Sequence, residues 1–356
     1  MAVTDIDERK LEAFIGLVAT EIGAAANAAL VSIGDELGLF RAMADGQAVS
    51  SAQLAARTGT QERYVREWLA AQAASGFLEL GEDGYVLPPE HALVLADEQS
   101  PFAMIGAFQS AGAAIKARER VAERFVTGDG LGWHEHHHGL FHGVERAFAT
   151  GYRAYLVDEW LPALDGVVER LQEGGLVADV GCGHGISTVL MAQAFPASRF
   201  VGIDYHSESI ATARERAAEA GVADRVTFEI AGAGEIPGSG YDLVAFFDAF
   251  HDLGDPLAAA RSAASVLAPD GRCMLVEPYA GDRVQDNLHP VGRFYYAMST
   301  LVCTPGSLSQ PGRAALGTQA GEARLAEVLH EGGFGAVRRA AETPLNIVLE
   351  ARLGEG

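Results

Sequence analysis

Apolar residues recur at helical spacing through Lys10–Leu30, an alanine-rich stretch without proline, and predict a helix there. A second helical pattern, Ser32–Met43, stops near Asp45-Gly46. Ser50–Arg57 and Gln61–Ser75 predict two short helices around Thr58-Gly59-Thr60, with Thr60 as the cap of the second. Phe77–Leu80 and Tyr85–Leu87 are short apolar pieces joined by Gly81-Glu82-Asp83-Gly84, and an Asp-Gly turn between such pieces predicts a hairpin. Helical sequence resumes over Pro88–Thr127, with a long helix expected from Pro101 through Arg124, until Gly128-Asp129-Gly130 breaks it. A histidine-rich connector, Gly132–Gly143, then leads into a helical pattern over Gly151–Leu171.

From Leu176 the texture changes to short β-rich runs alternating with alanine-rich helices. The expected strands are Leu176–Val180, Arg199–Asp204, Val226–Ala231, Tyr241–Phe247, Cys273–Glu277, Val337–Ala341 and Asn346–Ala351. Such alternation predicts an α/β fold, a parallel sheet with helices on both faces. Three segments follow: a mainly helical domain over 1–130, a connector and linking helix over 131–175, and a sheet domain over 176–356. Within the first, the order helix, turn, helix, hairpin is that of a winged helix. That module either reads DNA through Gln61–Ser75 or serves as a dimer contact. Arg57, Arg63 and Arg66 are interleaved with Glu62 and Glu67, which favours contact over DNA.

Composition sharpens the choice. Forty-eight acidic residues against 26 basic ones give a net charge of −22, and a surface that negative repels phosphate backbones. The three cysteines, Cys182, Cys273 and Cys303, are few, odd in number and widely spaced, as in a protein of a reducing cytoplasm. No run of about 18 uncharged apolar residues and no secretory signal is visible, so neither a membrane span nor export is expected.

The first strand of the sheet domain runs into Gly181-Cys182-Gly183-His184-Gly185, with Asp179 inside the strand and a helix from Ile186. Glycines here let a ligand approach the backbone at a helix N-terminus. The spacing is not that of the dinucleotide fingerprint, whose third glycine would fall on Ile186. The second strand ends in Asp204, followed by Tyr205. A doubly wound sheet puts that carboxylate at the ligand crevice, able to accept two hydrogen bonds from a ribose diol.

These residues resemble motif I and the ribose-binding acid of class I S-adenosylmethionine (SAM) dependent methyltransferases, over about Leu176–Glu277. The resemblance implies a Rossmann-like catalytic domain. It also implies SAM as cofactor, S-adenosylhomocysteine as product, and a cofactor site of Asp179, Gly181, Cys182, Gly183, Gly185, Asp204, Tyr205, Gly232, Ala233 and Asp248. Cys182 is given no catalytic part. Relatives often carry an Asp where this chain has Gly232, so the Ala233 amide is the expected adenine contact.

At the end of the fourth strand stands Phe247-Asp248-Ala249-Phe250-His251-Asp252, and the next strand ends in Glu277. An imidazole titrates near neutrality and suits deprotonation of a hydroxyl, while Glu277 is placed to hold its tautomer. With the winged helix, this pattern resembles plant-type and polyketide O-methyltransferases and actinobacterial winged-helix methyltransferases of unknown substrate. In the former family the histidine is the general base and the N-terminal module builds a homodimer. The implied activity is methyl transfer to a small-molecule hydroxyl, with His251 as base and Glu277 assisting. The family's aromatic residue beyond the His-Asp pair is missing, since Leu253-Gly254 stands there. Two alternatives stay open: a SAM-sensing winged-helix regulator, and a C- or N-methyltransferase, with or without a metal.

The connector holds a literal H-E-x-x-H from His134 to His138, but flanking glycines and the absence of a protease architecture argue against a zinc protease. If the segment is helical, His134, His138 and His142 share one face, where a metal would meet an acceptor's oxygens. The plainer expectation is no metal and a polar lid, with His138, His142 and Tyr152 near the acceptor. Asn287–Val302 predicts a further acceptor-lining helix carrying Phe294, Tyr295 and Met298. Ser307–Gln310 and Gln319 are candidates by position.

Overall fold

A computed structural model describes residues 6–354. The chain divides into two compact units: residues up to Gly112 together with Phe141–Thr150, and Ala113–Leu140 together with the residues from Gly151 onward.

In the first unit, one 29-residue helix, α1 (Glu8–Glu36), replaces the two predicted helices. Nothing breaks it: Ser32 turns its hydroxyl back onto the Ala28 carbonyl at 3.2 Å and stays in register. Only a 3₁₀ turn, Arg41–Met43, remains of the second pattern. The C-terminal half of α1 buries Asn27 and Val31, while Leu11, Phe14, Ile15, Leu17, Val18 and Ile22 are exposed. By length and composition alone α1 is also long and apolar enough to cross a membrane, although Glu12 and Glu21 interrupt its apolar run.

Helices α2 (Ser51–Thr58) and α3 (Glu62–Ala74) follow, α2 opened by a reciprocal Ser50–Gln53 capping box. The cap of α3 is Gln61, not Thr60, whose hydroxyl instead meets that of Thr58 at 2.8 Å. The hairpin forms as predicted from β1 (Glu79–Gly81) and β2 (Gly84–Val86). The long helix expected over 101–124 is two, Ile105–Ile115 and Arg118–Thr127, ended by Gly128 in the left-handed region.

The second unit is built on a seven-stranded, Rossmann-like mixed sheet. Its strands are β3 (Leu176–Val180), β4 (Arg199–Asp204), β5 (Val226–Ile230), β6 (Tyr241–Phe247), β7 (Leu267–Pro278), β8 (Phe334–Glu342) and β9 (Asn346–Leu353), in the order β5-β4-β3-β6-β7-β9-β8. The first five pair in parallel, whereas β9 runs antiparallel to both β7 and β8, a departure from the all-parallel expectation. The reason is local: only Thr343-Pro344-Leu345 separates β8 from β9, too short for a crossover. Central strands read as continuous apolar runs because helices cover both faces, and Ala178, Val180, Ile203, Val244, Phe246 and Leu275 form the core. From β3 the chain moves outward through β4 and β5, then returns to β6 on the other side. The carboxyl ends of β3, β4 and β6 therefore flank the point where ligands bind in doubly wound sheets.

Candidate functional site

Gly181, Gly183 and Gly185 all have φ between 52° and 76°, a region that disfavours side chains. At Gly183 a Cβ would meet nothing within 4 Å, so the loop offers open backbone there. At Gly185 a Cβ would lie 2.9 Å from Ala213 and the Phe228 ring, which seats the loop against the sheet. Asp204 fastens the same loop: Oδ2 accepts from the Gly183 amide at 2.9 Å and Oδ1 from the His206 amide at 2.8 Å. Burial raises the Asp204 pKa above its ordinary value, partly offset by those amides. Tyr205 is half exposed beside it. The Ala231 amide donates to the Asp204 carbonyl at 3.1 Å and brings the turn holding Gly232 and Ala233 alongside.

Asp179 is completely buried. Its Oδ2 accepts from Ser187 Oγ and Thr188 Oγ1, each at 2.6 Å, while Oδ1 is shut from water with no partner. Burial pushes its pKa up to about 6 against the pull of those hydroxyls. A buried carboxylate oxygen without a donor is costly unless a ligand supplies one. Ser187 and Thr188 escaped the sequence reading because a helix N-terminus hides which hydroxyl faces back toward the strand.

Past β6 the chain takes a strained turn, with Asp248 at φ 50°. Its carboxylate is engaged within the unit: Tyr152 Oη donates to Oδ2 at 2.9 Å and Asn346 Nδ2 to Oδ1 at 2.8 Å. Burial, then repulsion from Glu277, raise its pKa to about 8. Tyr152 itself is buried, its ring tilted on Phe247, so it braces this turn instead of facing outward.

His251 follows on a 3₁₀ turn, Phe250–Asp252, and is 2% exposed. Its Nδ1 lies 2.6 Å from Glu277 Oε2, while Glu277 Oε1 accepts the Phe250 amide at 3.0 Å. On the other side Nε2 stands 3.1 Å from Asp252 Oδ1. Burial opposes charge on the ring, but Glu277 and then Asp252 outweigh it and hold the pKa well above the histidine norm.

In the Leu253-Gly254 pair that stands where the O-methyltransferase pattern has an aromatic, Gly254 is tightly packed: a Cβ would lie 2.3 Å from the Pro311 carbonyl oxygen. The Gly254 amide donates to Gln310 Oε1 at 3.1 Å, Gln310 Nε2 donates to the Asp252 carbonyl at 2.9 Å, and Ser307 Oγ donates to that of Leu253 at 2.7 Å. Ser307 and Gln310 thus pin the histidine turn. Gln319 donates to the Tyr279 carbonyl at 3.2 Å.

The helix expected over 287–302 runs as Pro290–Met298, a π-helical turn Ser299–Cys303 and a short helix Thr304–Leu308. Tyr295 is buried and donates to the Leu345 carbonyl at 2.8 Å; Phe294 is partly exposed and Met298 half-buried.

The connector is not one helix, so the shared face of His134, His138 and His142 does not form. His134 sits on a 3₁₀ turn, His136 is extended, and the helix begins only at Gly139, after His138. Gly132 opens the turn, the extended His136 closes it, and Gly139 starts the next helix. Glu135 is held by Arg120 and the Gly132 amide, and His138 stacks on His137. His142 lies in the stretch of Gly139–Tyr155 that belongs to the first unit.

Residues 171–333 match a methyltransferase domain and residues 25–97 an Rv2258c-like winged HTH domain. The chain is 36% identical over 107 residues to 27-O-demethylrifamycin SV methyltransferase of Amycolatopsis mediterranei, covering 30% of this chain and 39% of that protein. It spans less than half the length of the curated relatives it matches. In fold it is similar to human N-acetylserotonin methyltransferase in complex with SAM, with a TM-score of 0.70, 16% identity and 100% of each chain covered. An O-methyltransferase family protein of Burkholderia thailandensis gives 0.70 at 17% identity, covering 96% of this chain and 98% of that one. The match to a methyltransferase domain thus falls within the second unit, and the match to a winged HTH domain within the first.

Proposed function

We propose that this chain, a methyltransferase domain joined to a winged HTH domain, is a SAM-dependent methyltransferase that acts on a hydroxyl of a small molecule. The observation that carries the reading is the buried pair of His251, past the carboxyl end of β6, and Glu277, near the carboxyl end of the adjoining β7. The residues fit SAM: Asp179 Oδ1 lacks a donor, Gly183 leaves open backbone, and Asp204 has lone pairs to spare beyond two amide bonds. Asp179 would accept from the cofactor's amino group and Asp204 from its ribose. Gly181, Cys182, Gly183 and Gly185 would line its methionine part, and Tyr205, Gly232 and the Ala233 amide its adenosine. When bound, SAM supplies an electrophilic methyl group on a sulfonium.

His251 takes the acceptor's hydroxyl proton on Nε2 while Glu277 fixes Nδ1–H. Because the ring's pKa is raised, its free-base fraction grows as the pH rises above neutrality, and the rate follows. Asp248, Tyr152 and Asn346 stiffen the turn that carries the ring, and Phe294, Tyr295, Met298 and the connector's His138 are the acceptor-side candidates. The expected test result is that His251→Ala binds SAM with unchanged affinity but loses roughly a hundredfold or more in transfer rate. Full activity in that variant removes the base and leaves carbon or nitrogen acceptors.

The partner of the first unit is a second copy of the chain, in a cytoplasmic homodimer. The exposed apolar stripe of α1, Leu11 to Ile22, is the kind of surface that association covers. DNA binding is disfavoured: on α3 Arg63 pairs with Glu67 at 2.6 Å and Arg66 with Glu62 at 2.8 Å, which spends its positive charge.

A further inference from the structure

We propose that His251, Asp252 and Cys303 form a binding site for one zinc-class divalent ion, with Glu277 holding the ligating ring from behind. The three side chains each offer a ligand atom, and these atoms lie within 4.8 Å of one another. Tetrahedral zinc with N and O ligands at about 2.1 Å puts its donors about 3.4 Å apart, so small side-chain adjustments close the set. The second-sphere geometry is that of a metal site. A ligating histidine generally gives its remote N–H to a carboxylate, which fixes the tautomer and turns the other nitrogen to the ion. Glu277 does this at Nδ1, 2.6 Å away, and leaves Nε2 3.1 Å from Asp252 Oδ1.

Without a metal, the cation this corner can hold is a proton on His251 Nε2, 3.1 Å from Asp252 Oδ1. Asp252 Oδ1 is shut from water and accepts no well-directed hydrogen bond, although Nε2 is 3.1 Å away. Two buried acceptors facing each other repel unless a cation stands between them, and the corner admits a proton or a metal ion. Cys303 comes from a distant element: the π turn Ser299–Cys303, an insertion frequent at functional sites, carries the sulfur to this corner. A nitrogen, oxygen and sulfur donor set suits zinc or cobalt and not magnesium or calcium, and three protein ligands leave one position open. An ion there occupies the Nε2 lone pair that proton transfer needs. Zinc-class ions would therefore arrest the methyl transfer.

Binding is measurable with neither methyl donor nor acceptor, so its failure is separate from failure of the methyltransferase reading. The full chain is titrated with Co(II) and followed by absorption. One ion per chain is expected, with a thiolate charge-transfer band. Cys303→Ser abolishes that band, and Cys303→Ser and His251→Gln each weaken affinity tenfold or more. A His134→Gln, His138→Gln double variant leaves both unchanged. Zinc-edge X-ray absorption of the wild-type chain needs no variant to fold and must find one sulfur among the ligands. A ligand set of nitrogen and oxygen alone, or binding lost with His134 and His138 instead of Cys303, overturns the site.

Discussion

Glu277→Gln isolates the charge behind His251 while keeping its shape. The carboxylate is 1% exposed, accepts from the Phe250 amide at 3.0 Å and meets Nδ1 at 2.6 Å. Glutamine's carbonyl oxygen still accepts one of these bonds. The cost is therefore about 2–3 kcal/mol, below the roughly 3–5 kcal/mol of deleting one partner of a buried pair outright. Its pH dependence has a definite sign. His251 has a pKa raised in the folded state, so its contribution is complete below the ordinary value near 6.5 and fades as the pH rises through the folded one. Urea unfolding of wild type and variant should differ most near pH 6, and the gap should narrow toward pH 9. In parallel, ring-nitrogen NMR should find that His251 loses its proton at lower pH in the variant. Equal gaps at both pH values, or a ring titration that does not move, would refute the charge coupling.

Three other outcomes follow from the same geometry. Asp204→Asn replaces one amide-accepting oxygen with a donor and should weaken SAM binding 10- to 100-fold, about 1.4–2.8 kcal/mol, by calorimetry; a change under threefold contradicts the ribose-side role. Phe14→Asp with Ile15→Asp puts charge into the exposed stripe of α1 and should convert a dimer to a monomer in sedimentation, with the melting curve unchanged. Flotation of the wild-type chain with anionic vesicles would instead assign α1 to a membrane. A gel shift at 50 mM salt should find no tight, salt-sensitive duplex binding, given the paired arginines of α3.

The sheet was largely legible because apolar runs of five to seven residues bounded by turns have few other solutions, and β3, β4 and β6 fall where the pattern put them. β7 begins six residues early, at Leu267, because Ala268-Pro269-Asp270-Gly271 reads as a turn yet continues the strand. The antiparallel β8–β9 edge depended on loop length, which apolar runs alone do not express. α1 was split in two because Ser32 looks like a start signal unless its hydroxyl is satisfied four residues back.

In the site, Asp179, Asp204, His251 and Glu277 were visible as strand-end residues. Their partners were not. Asn346 and Cys303 lie 98 and 52 residues from Asp248 and His251, and only the fold brings them there. The same fold buries His251 between two carboxylates, which raises its pKa in a way no local pattern carries.

Methyl-labelled SAM incubated with the full chain and a deproteinised extract of the source organism, with products followed by mass spectrometry, tests the central claim most directly. The account predicts one labelled small molecule with the label on oxygen, formed faster at pH 9 than at pH 7 and absent with His251→Ala. Label on carbon or nitrogen, or no transfer while SAM remains bound, would contradict it.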